Sequence, residues 1–223
     1  LQPWPSVDGL AFKPVDHEGL LAFFTRHGFK SWKRELEGQG VAPQTQAEPE
    51  RAEPPPPLQD KRYETVNSWE RFEAWLDKIR AAELVALDTE TDSLSNLDAR
   101  IVGLSFSVAP WEACYIPLRH AGMDHPEQLP LDEVLARLKP WLEDASRLKL
   151  GQHVKYDAHV FANHGIAIEG YAHDTMLQSY VLEAHKSHGL ESLAERHLGR
   201  KGLSYEALCG KGANQIPFAQ VYV

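Results

Sequence analysis

Residues 84–92, LVALDTETD, place the strongest constraint on what this chain can fold into. Four apolar residues run directly into the acids Asp88, Glu90 and Asp92. Such a run reads as a buried strand. Side chains two apart on a strand point to one face, so Asp88 and Glu90 stand side by side at its carboxyl end. Adjacent carboxylates repel each other and destabilise a fold unless protons or cations intervene. A hard divalent ion such as Mg²⁺, which prefers oxygen ligands, is the natural counter-charge. The strand therefore reads as half of a metal site.

The pattern around it alternates between helices and strands. Trp69, Phe72, Trp75, Leu76 and Ile79 recur at helical spacing behind Asn67 or Ser68 as N-cap. Residues 100–108 and 113–117 predict two strands joined by a turn near Pro110, continuing the acidic strand into an antiparallel meander. A helix over 132–141, a short strand over 148–151 and helices from about 154, 174, 190 and 204 follow. This is an α/β sheet covered by helices. Residues 39–60 break the pattern: six prolines and almost no apolar side chains cannot build a core, so they form a linker stiffened by Pro54 to Pro57. Three parts result: residues 1–38, the Pro-rich linker 39–60 and the main domain 61–223. In the first, Leu20, Leu21, Phe23 and Phe24 predict a helix stopped by Gly28, a segment too short to fold well alone. Its basic residues Arg26, Lys30, Lys33 and Arg34, interleaved with Phe29 and Trp32, suit a solvated face better than a nucleic-acid contact.

Charge and composition narrow the function. A net charge of −9 argues against a binder that gains affinity by covering phosphates with Lys and Arg. It leaves room for an enzyme that meets phosphate through bound cations. Eleven histidines are many for this length, but His153, His159, His164 and His173 show no zinc-motif spacing. Cys114 and Cys209 lie far apart in no metal pattern, which fits packing roles in a reduced cytosolic setting. No apolar run is long enough to span a bilayer. The N-terminus lacks signal-peptide features, and the chain reads as a piece of a longer soluble protein.

A second acidic position lies in GQHVKYDAHVFANHG, residues 151–165, which predicts a helix ended by Gly165 in the left-handed conformation. Asp157 shares a helical stripe with Val154, Val160, Phe161 and His164 and so points inward. A buried ionised carboxylate needs a partner, whether a metal or an ion pair with Lys155 or His153. An acidic pair ending one strand, joined to a distant inward Asp after another, is the layout of sites where two metal ions serve phosphodiester hydrolysis.

The motifs LVALDTETDSL, VGLSF, YIP, GQHVKYD, DTMLQSYVLE, SLAERHLG and GKGANQI, in that order, resemble the 3′-to-5′ proofreading exonuclease domain of bacterial DNA polymerase I, a DnaQ-like (DEDD) exonuclease. The likeness covers roughly residues 61–220. LLAFFTRHGFKSWKRELEG resembles the end of that polymerase's 5′-nuclease domain, and the Pro-rich stretch its interdomain linker. The resemblance implies a ribonuclease H-like mixed sheet flanked by helices. It implies catalytic and metal-binding roles for Asp88, Glu90 and Asp157, with two divalent ions, Mg²⁺ or Mn²⁺. It also implies DNA contacts at Leu94, Gln152, His153 and Tyr205. The partners implied are a single-stranded or frayed 3′ end of DNA and the polymerase and 5′-nuclease modules of the parent chain, in a monomeric, cytoplasmic, nucleoid-associated bacterial protein. On pattern alone Leu94 and Tyr205 would also pass as core residues.

Two departures stand out. The family has Asn where this chain has His153, which bears on strand contact and pH dependence. The family's third motif, a Tyr followed four residues later by a metal-binding Asp, is not matched by any Tyr here. The resemblance therefore implies that the 223-residue chain alone is nearly inactive. The alternative is a catalytically idle spacer that positions DNA or its neighbouring modules. A haloacid-dehalogenase-type phosphatase is a third reading of DTETD, but Glu90 replaces the second Asp of its DxDxT motif.

Overall fold

Asp16 and Gly28 bracket the first helix. In this computed structural model, which describes residues 15–38, 61–122, 125 and 127–223, the chain falls into two compact units, Leu1–Arg51 and Ala52–Val223. In the first unit, helix α1 (His17–His27) starts where the Asp16 carboxylate accepts the Gly19 N–H at 2.9 Å. It stops at Gly28, whose φ of 72° is the left-handed turn that glycine makes without steric cost. Helix α2 (Lys30–Gly38) follows, with Trp32 against Phe24 and Phe29. The Pro-rich linker lies outside the described residues.

The second unit is a six-stranded mixed sheet. Strand β1 (Arg62–Thr65) precedes helix α3 (Trp69–Ala81), which Ser68 caps through the Arg71 N–H. Strands β2 (Leu84–Thr91), β3 (Ile101–Ala109) and β4 (Glu112–Pro117) form the expected antiparallel meander. Helix α4 (Leu131–Leu142) leads to β5 (Leu148–Gly151), then α5 (Val154–Ala162) and β6 (Tyr171–Asp174). Helices α6 (Thr175–Glu183), α7 (Leu190–Leu198) and α8 (Tyr205–Cys209) follow. The strand order is β1-β4-β3-β2-β5-β6, with β5 and β6 running parallel to β2 and β1 parallel to β4. This is the ribonuclease H-like α/β sheet flanked by helices.

Alternation decides the two faces of the sheet. Leu87 lies opposite Phe106 and Thr89 opposite Leu104, and these β3 residues lie opposite Cys114 and Ile116 on β4. Their common face is the core. It meets Phe72, Trp75, Leu76 and Ile79 of α3, Val134, Leu135, Leu138, Trp141 and Leu142 of α4, and Val160 and Phe161 of α5 in one buried cluster. Each large apolar side chain so buried contributes roughly 1.5–3 kcal/mol. Asp88 and Glu90 occupy the opposite face, beside Ser105 and Gly103. The cysteines are buried packing residues, as expected.

Buried Lys149 on β5 lies over the Trp141 ring, 4.4 Å from its centroid, and its ammonium donates to the carbonyls of Asp144 and Arg147 at 3.1 and 2.9 Å. Loss of hydration pushes its pKa down to about 8. Strands β1 and β6 were absent from the sequence expectation. RYET and YAHD are edge strands of four residues with mostly exposed side chains, so they lack the alternation that marks a half-buried strand. Among the described residues no helix is long and apolar enough to cross a membrane.

Candidate active site

The acidic end of β2 is shaped by a register shift between Glu90 and Thr91, where the ladder with β3 breaks. Asp88 and Glu90 project from one face, as the spacing predicts. Thr89, between them, projects into the core face and donates its hydroxyl proton to Asp157 Oδ1 at 2.6 Å. Asp157 is 2% exposed, in the first turn of α5, and its partner is this threonine, not Lys155 or His153. It reaches β2 within electrostatic range of both Asp88 and Glu90. None of the three acids takes part in an ion pair among the described residues.

Their electrostatics agree with that placement. Glu90 is pushed up to about 7 by burial, then by the charges of Asp88 and Asp157. Asp157 is also pushed up to about 7, again chiefly by burial, with the Thr89 hydrogen bond opposing and the charge of Asp88 adding to the rise. Asp88 stands at the open edge of the strand, yet the protein around it strips enough hydration to raise its pKa as well. Asp88 is therefore the common neighbour of the other two.

Donor chemistry fits hard divalent cations: three carboxylates crowd one strand end, all three made less comfortable as anions by burial and two of them also by the charge of Asp88. The buried Tyr171 hydroxyl has no hydrogen-bond partner among the described residues and lies within electrostatic reach of Asp157, Asp88 and Asp174, so the polar demand of this region exceeds what the described side chains supply. Among the described residues no three His, Cys, Asp or Glu side chains converge tightly enough to enclose a single ion.

The start of α5 is built with unusual care. His153, its N-cap, has φ 61° and ψ 45°, a left-handed conformation in which Asn, Asp and His are enriched among non-glycine residues. The His153 ring is exposed and stacks against Tyr156, with centroids 6.3 Å apart. The backbone N–H of His153 donates to Asp174 Oδ1 at 3.2 Å and that of Val154 to Oδ2 at 3.0 Å, while Oδ1 also accepts from the backbone N–H groups of Met176 at 2.9 Å and Leu177 at 3.2 Å. One carboxylate therefore caps two helices, α5 and α6, and sets the position of Asp157 one turn along. Asp174→Ala is expected to cost about 2 kcal/mol in urea denaturation, roughly one cap for each helix. A loss under about 0.5 kcal/mol would show that other groups hold both helix starts.

The remaining expected contacts divide. Leu94 is 94% exposed and Tyr205 48% exposed, so neither is a core residue. The Leu94 loop is anchored at both ends. Asp92 accepts the Arg100 N–H at 2.8 Å, and the Tyr156 hydroxyl donates to the Ser93 carbonyl at 2.6 Å while standing 2.6 Å from that of Thr91. Hydrogen bonding to Cys209 raises the Tyr205 pKa, with burial adding to the rise. Gln152 has its amide turned inward, donating to the His188 carbonyl at 2.8 Å and accepting from Thr175.

Thr89, Tyr156 and Asp174 had no role in the sequence reading. Thr89 had a signal, since alternation places a hydroxyl between two acids onto the core face. The pair Asp174 and Thr175 ahead of a helical run is an N-cap signature, but nothing local shows that the same carboxylate reaches α5.

Residues 63–222 match the 3′-5′ exonuclease family. The chain is similar to DNA polymerase I of Pseudomonas aeruginosa, 43% identical over 221 residues that cover 97% of this chain and 24% of that protein. It therefore spans about a quarter of the length of that relative. Two solved structures share the fold. The POL domain of Pol1 from M. smegmatis, in complex with DNA primer-template and dNTP, has a TM-score of 0.51 at 24% identity, covering 62% of this chain and 23% of that one. The catalytic core of RRP6 from Trypanosoma brucei has a TM-score of 0.52 at 13% identity, covering 73% and 41%. With the family match spanning most of the chain and the polymerase relative nearly all of it, this protein belongs to the 3′-5′ exonuclease family of DNA polymerase I.

Proposed function

We propose that this chain carries the proofreading site of a DNA polymerase I, hydrolysing the 3′-terminal phosphodiester of DNA and releasing one nucleoside monophosphate per cycle. The observation that carries the reading is the crowding of Asp88, Glu90 and Asp157 at the end of β2, with Glu90 and Asp157 pushed up to about 7 chiefly by burial and further by the charge of Asp88. These three would hold two divalent ions, Mg²⁺ or Mn²⁺. Asp88 lies within reach of both Glu90 and Asp157, as a ligand shared between two positions would. When bound, such ions supply Lewis acidity for an attacking water and for the departing 3′ oxygen.

The other residues shape the substrate. Leu94, on its anchored and exposed loop, presents an apolar wedge to the terminal base. Tyr205 offers a half-exposed ring for stacking, which tolerates any base, as a proofreader requires. His153 meets the strand from the start of α5, and Gln152 takes part by holding the loop that presents it. We also propose the segment assignment: residues 1–38 end a 5′-nuclease domain, 39–60 link it, and 61–223 belong to the exonuclease domain. The proposed setting is a monomeric polymerase in the bacterial cytoplasm, at the nucleoid.

Product analysis tests the reading. With Mg²⁺ and a single strand labelled at its 5′ end, the polymerase I polypeptide that carries this chain should generate a ladder shortened one nucleotide at a time from the 3′ end. Internal cleavage, or a ladder that persists in excess chelator, would overturn it. A polypeptide that binds 3′ ends without any shortening would point to the idle spacer.

A further inference from the structure

The acidic face has a neighbouring wall whose role lies beyond the carboxylates. Glu90 lies opposite Gly103 on β3, and directly opposed residues in an antiparallel pair project side by side, about 5 Å apart. Gly103 projects nothing, and a methyl group there would fall 2.0 Å from the Tyr115 hydroxyl oxygen. The phenol of Tyr115, reaching over from β4, thus fills the space beside Glu90 that a side chain at 103 would occupy. Tyr115 is held there from behind. Its hydroxyl is 2.6 Å from Nε2 of buried His120, whose Nδ1 is 3.1 Å from the Val221 carbonyl oxygen. A carbonyl only accepts, so Nδ1 carries the imidazole proton, and Nε2 of the neutral ring accepts from the Tyr115 hydroxyl.

His120 is itself fixed. Its backbone N–H donates to the Gln128 side-chain oxygen at 2.7 Å, and its carbonyl accepts from the same amide at 2.9 Å. The Phe218 ring rests against the imidazole, centroids 5.9 Å apart, and the Ala121 N–H donates to the Ala219 carbonyl at 2.7 Å. These bonds strap the 3₁₀ turn Phe218–Gln220 to the end of the sheet, where it packs on β2.

We infer that Tyr115 and His120 are positioning residues for Glu90: the Tyr115–His120–Val221 relay pins the Phe218–Val221 turn at the acidic edge and confines the Glu90 carboxylate between the phenol and β2. A glutamate side chain has three rotatable bonds, and a cation that must first immobilise it binds more weakly than one that finds it already confined. The inference rests on the exonuclease reading, because it assigns Glu90 a cation to hold.

Tyr115→Phe keeps the wall and deletes one hydroxyl, and His120→Gln breaks the relay at its centre. Two measurements on the purified chain decide the matter. In both variants the amides of Ala121, Gln220 and Val221 should exchange with deuterium at least about tenfold faster, while those of Leu104 and Phe106 keep their protection. Mn²⁺ affinity, by titration calorimetry, should fall about five- to tenfold. Faster exchange with unchanged Mn²⁺ affinity would make the relay merely structural, and unchanged exchange would show that it does not hold the turn. Either result overturns the inference. If the unaltered chain binds no Mn²⁺, the cation reading of the site fails first and takes the positioning role with it, a result distinguishable from a failure confined to the variants.

Discussion

Asp88→Ala should lower 3′-terminal nucleotide release by at least about a thousandfold while leaving the melting temperature unchanged or slightly raised. The size follows from position. Asp88 raises the pKa of both Glu90 and Asp157, so its carboxylate stands within reach of both. Positioned charge is the main source of catalysis in phosphoryl transfer, and losing a shared ligand disturbs every cation the acids hold. The stability change has the opposite sign to that of a typical core mutation. Removing one of three mutually repelling anions relieves the cation-free fold. The rate is read on 3′-labelled single-stranded DNA with the polymerase I polypeptide that carries this chain, and stability by thermal denaturation in chelator. Activity within tenfold of the unaltered protein would remove Asp88 from the machinery. A large fall in melting temperature would mean that its role is structural.

Without divalent cations, the contribution of Asp157 to stability should decline as pH rises from about 4 to about 7. Its carboxyl titrates near 3.8 when unfolded and near 7 when folded, and Glu90 moves from 4.5 to about 7. Between those values the folded state holds protons that the unfolded state has released, so raising the pH favours unfolding. The contribution is complete below the unfolded pKa and lost as pH passes the folded one. A full shift of this size would be worth about 4 kcal/mol, and coupling with Glu90 and local relaxation bring the expected change nearer 2 kcal/mol. It is measured as the difference in urea-denaturation free energy between the unaltered chain and Asp157→Asn at pH 5 and pH 8. The asparagine variant should be relatively more stable at pH 8, and millimolar Mg²⁺ should remove its advantage by binding only the folded carboxylates. A difference independent of pH would show that Asp157 is ionised throughout, and Mg²⁺ without effect would show that the acids hold no ion.

How much of this was legible depended on the range over which each signal acts. The alternation in LVALDTETD placed Asp88 and Glu90 on one face, and β2 does so. The period of Trp69, Phe72, Trp75, Leu76 and Ile79 marked α3, and all but Trp69 are fully buried. The inward stripe of Asp157 was readable because a helical period is local. Its partner was not, because Thr89 lies 68 residues away. Leu94 and Tyr205 show the same limit. A leucine just past a strand and a tyrosine between leucines look like core in one dimension, and exposure is a property of what packs around them.

Patterns of two and three to four residues are written in the chain, since they follow from backbone geometry that each segment carries with it. They identified the α/β class, the acidic strand and the inward aspartate, while the likeness to a 3′-5′ exonuclease came from the resemblance of the ordered motifs. Relations between segments arise only when the sheet closes and brings distant atoms within hydrogen-bonding or electrostatic range. That closure ties Asp157 to β2 through Thr89, binds two helix starts with the single carboxylate of Asp174, and seats Tyr115 and His120 behind Glu90. The chemistry of the acids is legible in one dimension, but their spacing, their raised pKa values and the groups that hold them still exist only in three.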